Sequence, residues 1–388
     1  MNIILAGIMG RYPYGGVAWC SLMYLHGLMQ LGHKVWYLED MAECNFDPLE
    51  NALSKDPSYA LSFIKSSLEP YGLADRWCYV DWKQEYHGFT HEAWLDVCSG
   101  ADLFLNLSGG SWLWRDEYAG IPHSAFIDTD PGFTQLDAAN RPARLEFLSR
   151  YHALFTFGRN IGTPASAVPT GGLHWQHTWQ PVAIDLWKPA RTPPRHAFTT
   201  VMSWTIDSFQ DIGGNKDQEF SRFIDLPRHV STPLELAVSG PPAIRQPLRD
   251  HGWRCRDAFS VSHSADAYRR FIRSSLGEFS VAKHTYVATN SGWFSDRTAC
   301  YLASGRPAVV QDTGFSAHLP TGNGLLSFTD FDQARDALER VAGDYKRHAL
   351  AARDLAASYF ACEVVLPPLL ESATSLTPST THKQESPT

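Results

Sequence analysis

The sequence predicts an α/β chain made of two doubly wound halves with mainly parallel sheets, and three observations carry that prediction. The chain opens as strand, glycine-containing loop, helix and strand. Strand-like apolar runs then alternate with helical stretches. A proline-rich break from Lys188 to Arg195 (KPARTPPR) is followed by a second series of the same kind. The length of 388 residues suits two domains, each with its own core, expected over 1–190 and 191–371. The polar, Ser/Thr-rich end at 372–388 has no periodicity and is expected to be a disordered tail.

The elements follow in order. Asn2-Ile3-Ile4-Leu5-Ala6-Gly7 has no basic region before it and no small-residue cleavage site, so it reads as a first strand and not as a signal peptide. Its unbroken apolar character is that of a strand covered on both faces. The loop IMGRYPYGG leads to a helix over Val17–Leu31, with Gly32 placed as its C-terminal cap, and then to the strand VWYLED. Further strands are expected at Asp102–Leu107, Ser124–Asp128, His152–Phe157 and Leu173–Pro181. Beyond the break they are expected at AFTTVMSW, Leu234–Ser239, around Ala258–Val261, and at Thr285–Thr289, Ala308–Gln311 and Gly324–Phe328.

Composition narrows the class of function. Hydrophobic residues make up 44% and charged residues 19%, which excludes disordered and fibrous chains. A net charge of −8 with no long Lys/Arg run disfavours nucleic acid as the main partner. The seven cysteines stand singly without a CxxC pair, so reduced thiols and a cytoplasmic location are expected. No apolar run approaches the roughly 18 residues of a spanning helix, so no spanning membrane segment is expected.

Open α/β sheets bind ligands beyond the carboxyl ends of their strands, which makes the loops there the place to search. The first loop lacks both GxGxxG and Gly-Lys-Ser/Thr. Gly15 and Gly16, beside Tyr14 at the helix start, would let backbone approach a ligand, or simply form a flexible turn. The stretch Asn290–Phe315 reads as a Ser/Gly turn, a short helix ending at Gly305, a buried strand and a polar loop. Ser291, Gly292 and Ser295 would then surround a helix start suited to a diphosphate, with Asp312 and Thr313 near sugar hydroxyls. Ser295 and Asp296 as ordinary caps, with Arg297 as a surface charge, is the other reading. Of the sixteen histidines, His174 and His177 lie three apart on an expected strand and so face opposite sides, which is no metal site. Trp112, Trp114, Trp175, Trp179, Trp204 and Trp293 fall near strand ends, where rings stack on sugars or bases, or pack in the core.

PYGGVAW followed by a helix and LGHKV resembles the acceptor domain of GT-B glycosyltransferases. TWQPVAIDLWKP resembles that superfamily's interdomain segment, and YLASGRPAVVQDTG its donor-site motif, in the right order. The resemblance implies two Rossmann-like domains facing each other across a cleft, a nucleoside-diphosphate sugar as donor, an acceptor hydroxyl and no cofactor. The departures are specific. The glutamate pair of many retaining members falls here on Gly292 and Cys300, and the first loop has no histidine base. If the reaction inverts, Asp128 and Asp130 at the end of FIDTDPG are the candidate base, Asp130 preferred as nearer the loop, with a turn cap as the alternative. Lys216, after Gly213-Gly214-Asn215 and a loop containing Trp204 and Asp207, would neutralise the diphosphate where other enzymes use a metal; Arg222 and Lys283 are substitutes. No metal is expected. An epimerase on the same scaffold and a non-catalytic nucleotide- or sugar-binding protein are the alternatives.

Overall fold

The structure, a computed structural model, describes residues 1–190, 195–204 and 214–375. The other positions, among them Asp207, Gly213 and 376–388, lie outside the described residues. The first half carries β1 (Asn2–Ala6), β2 (Lys34–Asp40), the hairpin β3 (Asn45–Asp47) and β4 (Ala52–Ser54), then β5 (Trp77–Val80), β6 (Tyr86–His87), β7 (Leu103–Leu107), β8 (His123–Asp128), β9 (Ala153–Thr156) and β10 (Trp175–His177). Eight of these form one sheet in the order β10-β9-β8-β7-β1-β2-β5-β6, parallel except for β6.

The second half carries β11 (Phe198–Ser203), β12 (Leu234–Ser239), β13 (Arg254–Asp257), β14 (Gly277–Ser280), β15 (Ala308–Gln311) and β16 (Leu325–Phe328). They form a six-stranded parallel sheet in the order β13-β12-β11-β14-β15-β16. Each sheet reverses its winding once, between β1 and β7 in the first and between β11 and β14 in the second. Loops leave a sheet in opposite directions at such a point, which opens a crevice at the carboxyl ends.

The apolar runs form strands because both faces of the sheets are covered. Along β1, Ile3 and Leu5 enter one core while Ile4 and Ala6 enter another, and all four are fully buried. Two expected strands are corrected. Ala258–Val261 belongs mostly to the short helix Phe259–Ser262, and the strand is the preceding Arg-Cys-Arg-Asp. That strand is the sheet edge, where only one neighbour pairs and an apolar run is not required. Thr285–Thr289 lies largely in the helix His284–Ala288, and the strand is Gly277–Ser280, whose buried Glu278 interrupts the apolar signal. The strand Trp77–Val80 was not foreseen.

The chain end returns to the first half. Val182 and Ala361 form a β-bridge, and the helix Cys362–Ser375 packs on the first helix, Gly15–Gln30. A Cβ on Gly27 would lie 2.5 Å from Cys362 Sγ. Residues 372–375, expected in the tail, are therefore the last turn of a helix, and most of 362–371, expected in the second domain, packs against the first. Leu366, Leu369 and Leu370 on this helix join the first core. Among the described residues no helix is long and apolar enough to cross a membrane, and the seven cysteines are free.

Candidate active site

Both loops at the switch point of the second sheet end in a lysine. Lys216, after β11, begins the helix Lys216–Phe220, and Lys283 follows β14. Lys216 is buried. Burial and the neighbouring Arg297 and Lys283 push its ammonium well below the usual lysine range, and Glu278 and Asp296 offset this only in part. Arg297 is a buried ion-pair member and not a surface charge. Its Nε donates to Glu278 Oε1 at 2.6 Å, and its other nitrogens donate to Val201 O and Ser280 Oγ.

Across the cleft, Lys283 Nζ lies 2.6 Å from Asp130 Oδ1, and the Tyr286 hydroxyl donates to the same oxygen. Burial works to raise the Asp130 carboxyl, but the Lys283 charge and these two hydrogen bonds outweigh it and hold the group below the usual carboxylate range. Asp130 is therefore ionised at neutral pH. Trp293 closes the contact: its ring stacks on Tyr286 at 4.2 Å and its Nε1 donates to Thr129 O at 3.1 Å. Asp296, at the start of the helix Asp296–Ala303, has its carboxyl raised by burial, with the Asp130 charge adding to the effect.

Asp128 is corrected as a base. It is fully buried and accepts from Thr134 Oγ1, Gln135 Nε2, Thr156 Oγ1 and the Asp130 amide, so no lone pair is left for a substrate proton. Its part is to fix the turn that carries Asp130.

The first loop is clamped from behind. Met9 N–H donates to the Tyr37 hydroxyl at 2.9 Å, Gly10 N–H to Glu39 Oε1 at 2.5 Å and Arg11 N–H to Glu39 Oε2 at 2.8 Å. These amides point into the protein and do not form a phosphate cradle. Burial raises Glu39 to about 7 despite these hydrogen bonds. Gly15 and Gly16 serve close packing of the halves: a Cβ on Gly15 would meet Ser264 O at 2.4 Å, and one on Gly16 the Tyr268 ring at 3.3 Å. Tyr14 packs edge-on to Phe259 at 6.3 Å.

The remaining donor-side expectations are engaged within the protein. Ser291 is fully buried in a turn, its carbonyl accepting from Asn160 N–H at 3.0 Å. Gly292 donates to Thr313 O, and a Cβ on it would lie 2.8 Å from Asn160 N. Thr313 Oγ1 donates to Trp293 O at 2.5 Å, and Asp312 accepts from Gly314 N–H and Ser316. Ser295 is the N-cap residue of the helix Asp296–Ala303, without a side-chain capping bond. Asn160 Nδ2 also donates to Asn290 O, and His318 Nε2 lies 2.7 Å from Asn160 Oδ1, so this flank fastens the two halves together. The structure brings together Asp130, Lys216, Lys283 and Asp296; it does not gather Ser291, Gly292, Asp312 and Thr313 around open space.

Sequence reading underweighted Lys283 and missed Tyr286 and Glu278. The usable signal was position, since Lys283 comes three residues beyond a strand at a switch point. Among the described residues one trio of metal-ligating type, Asp81, Glu85 and His87, lies on the β5–β6 hairpin, where Asp81 already accepts from two backbone amides and meets His87 at 3.2 Å.

No protein-family description matches the sequence, and no curated protein is similar to it. Solved structures are similar in fold. An α-glucosyltransferase in complex with UDP and a 13-mer DNA aligns over 96% of this chain and 99% of its own, with 11% identity and a TM-score of 0.58. Anabaena Alr3699/HepE in complex with UDP and glucose aligns over 96% and 99%, with 12% identity and a TM-score of 0.59. AviGT4, a glycosyltransferase involved in avilamycin A biosynthesis, aligns over 96% and 97%, with 14% identity and a TM-score of 0.54. Two doubly wound sheets with facing carboxyl ends, a last helix that returns to the first half, and this likeness over nearly the whole chain identify the protein's fold as GT-B.

Proposed function

We propose that the chain is a glycosyltransferase that moves a sugar from a nucleoside-diphosphate sugar to an acceptor hydroxyl without a metal ion. The observation that carries this reading is the charge arrangement at the second switch point: Lys216, buried beside Arg297, next to a Lys283–Asp130 pair that spans the cleft at 2.6 Å. Two of the similar structures hold UDP, which supports a nucleoside diphosphate as the donor's anionic part.

In this reading the diphosphate is held at Lys216. Lys283 leaves Asp130 for the phosphate oxygens, so one cation serves first the base and then the leaving group. Asp130, released from its partner, accepts the proton of the acceptor hydroxyl as that oxygen bonds to the anomeric carbon. The bond from that carbon to the diphosphate breaks, and its electron pair stays on the phosphate, where the two lysines stabilise it. Arg297 and Glu278 act through Lys216: they form the buried base on which it rests.

The test is a thermal-shift and calorimetric screen against UDP, GDP, dTDP, ADP and NAD with EDTA throughout, followed by turnover of the sugar form of whichever nucleotide binds. Binding of one nucleoside diphosphate and its release from the donor in the presence of acceptor are expected. Binding of NAD alone, or conversion of the donor to its epimer without nucleotide release, overturns the reading.

A further inference from the structure

Away from the cleft, two cavities of about 360 and 540 Å³ open on the outer flank of the second half, and Arg195 lines both. Their surroundings are strongly positive although the chain as a whole carries −8. Arg254 and Arg256 line one cavity, and Arg270, Arg273 and His263 the other. Among the described lining residues Glu235 is the one carboxylate. It is shared, lying 2.6 Å from Arg256 Nε and 3.5 Å from Arg195 Nη1, so one negative charge answers two guanidiniums.

Arg195 is held in a strained bargain with its surroundings. Its Nε and Nη2 are buried and have no hydrogen-bond partner among the described residues. Its guanidinium lies 4.9 Å from the centre of the Phe271 ring, and that of Arg256 lies 5.8 Å from the same ring. Buried N–H groups without acceptors are costly, and an oxyanion with several lone pairs removes the cost by accepting from the guanidinium fork. Aromatic packing keeps the fork in place, so little order has to be gained on binding.

We propose that these cavities form a second anion site, separate from the cleft, that takes a phosphate-bearing small molecule. Phosphate fits the observations because it offers three acceptor oxygens to a fork with two idle donors and a surplus of guanidiniums around it. Cavities of this size suit a small molecule. The site also touches the segment between the halves: Arg195 N–H donates to Ser274 O at 2.6 Å, and Arg273 Nε to Lys188 O at 2.7 Å.

The experiment is a calorimetric titration of the full chain with pyrophosphate at about 150 mM salt, where diffuse surface attraction is screened. It is run on the wild type, Lys216→Met and Arg195→Gln. Saturable binding that persists in Lys216→Met and weakens roughly tenfold or more in Arg195→Gln is expected. The proposal is overturned if Lys216→Met abolishes all pyrophosphate binding, if Arg195→Gln binds as the wild type does, or if the wild type shows no saturable binding. Should Arg195→Gln fail to fold, Arg273→Gln at the neighbouring wall takes its place. The response of UDP to Lys216→Met reports on the cleft independently, so failure of either site is recognised separately.

Discussion

Replacing Lys216 by methionine separates what this residue does for a ligand from what it does to the fold. Methionine keeps the length and flexibility of the side chain and removes the charge. In the free protein Lys216 is buried beside Arg297 and Lys283, an environment that opposes its charged form. A group whose folded-state environment opposes its charge costs stability when charged, so removing that charge is expected to be neutral or stabilising. At roughly 2–4 °C per kcal/mol for a domain of this size, Lys216→Met is expected to melt at the wild-type temperature or several degrees above it. The wild type pays its penalty increasingly as pH falls from the ordinary lysine range towards the depressed value, and the variant does not. Nucleotide affinity moves the other way. Losing a charge-assisted contact of about 1.5–3 kcal/mol raises Kd roughly 10- to 150-fold. The diphosphate also restores the proton that burial disfavours, so wild-type binding takes up a proton and weakens as pH rises. Melting curves, with calorimetry in two buffers of different ionisation heat, measure all three effects. A variant that is less stable than the wild type, or that binds the nucleoside diphosphate equally well, refutes the reasoning.

Three further outcomes follow from the geometry. Asp130→Asn is expected to slow transfer by about 10²–10⁴-fold while keeping nucleotide affinity, as measured by turnover and calorimetry; a wild-type rate removes Asp130 as the base. Arg297→Met leaves Glu278 buried and uncompensated and is expected to cost about 3–5 kcal/mol in urea unfolding. Most of that loss should return in the double variant Arg297→Met/Glu278→Leu, and a double variant as unstable as the single contradicts the pairing. Glu39, raised from 4.5 to about 7, binds its proton more tightly in the folded state. Its contribution to stability is therefore fully present below pH 4.5 and declines by about 3 kcal/mol as pH rises to about 7. Urea midpoints between pH 5 and 8 should fall less steeply in Glu39→Gln than in the wild type, and parallel slopes refute the assignment.

The fold was legible at most strands buried on both faces, because such strands read as unbroken apolar runs, although the run Trp77–Val80 escaped notice. Leu234–Ser239 and Ala308–Gln311 match their expected bounds. Legibility failed where charge enters the sheet. Glu278 sits at zero exposure in β14 because Arg297 meets it from a helix nineteen residues on, a partner that local pattern does not reveal. The edge strand β13 carries Arg254 and Arg256 because only one side of it is paired. Of the candidate site, Asp130 and Lys216 stand out in the sequence by their places after strands. The glycines misled, because the sequence signal for close approach does not say what approaches: at Gly15, Gly16 and Gly292 it is the other half of the chain.

The returning last helix has a consequence for synthesis. The first helix packs its Gly27 face on Cys362 and Leu366, some 335 residues later in the chain. At about 5–20 residues per second, a ribosome delivers the covering helix roughly 17–67 seconds after the helix it covers. During that interval the amino-terminal half has its strands but lacks one wall, and it presents an apolar face to solvent or to a chaperone. A stop codon just before Cys362 would therefore produce a chain whose first half, and not its second, is left uncovered.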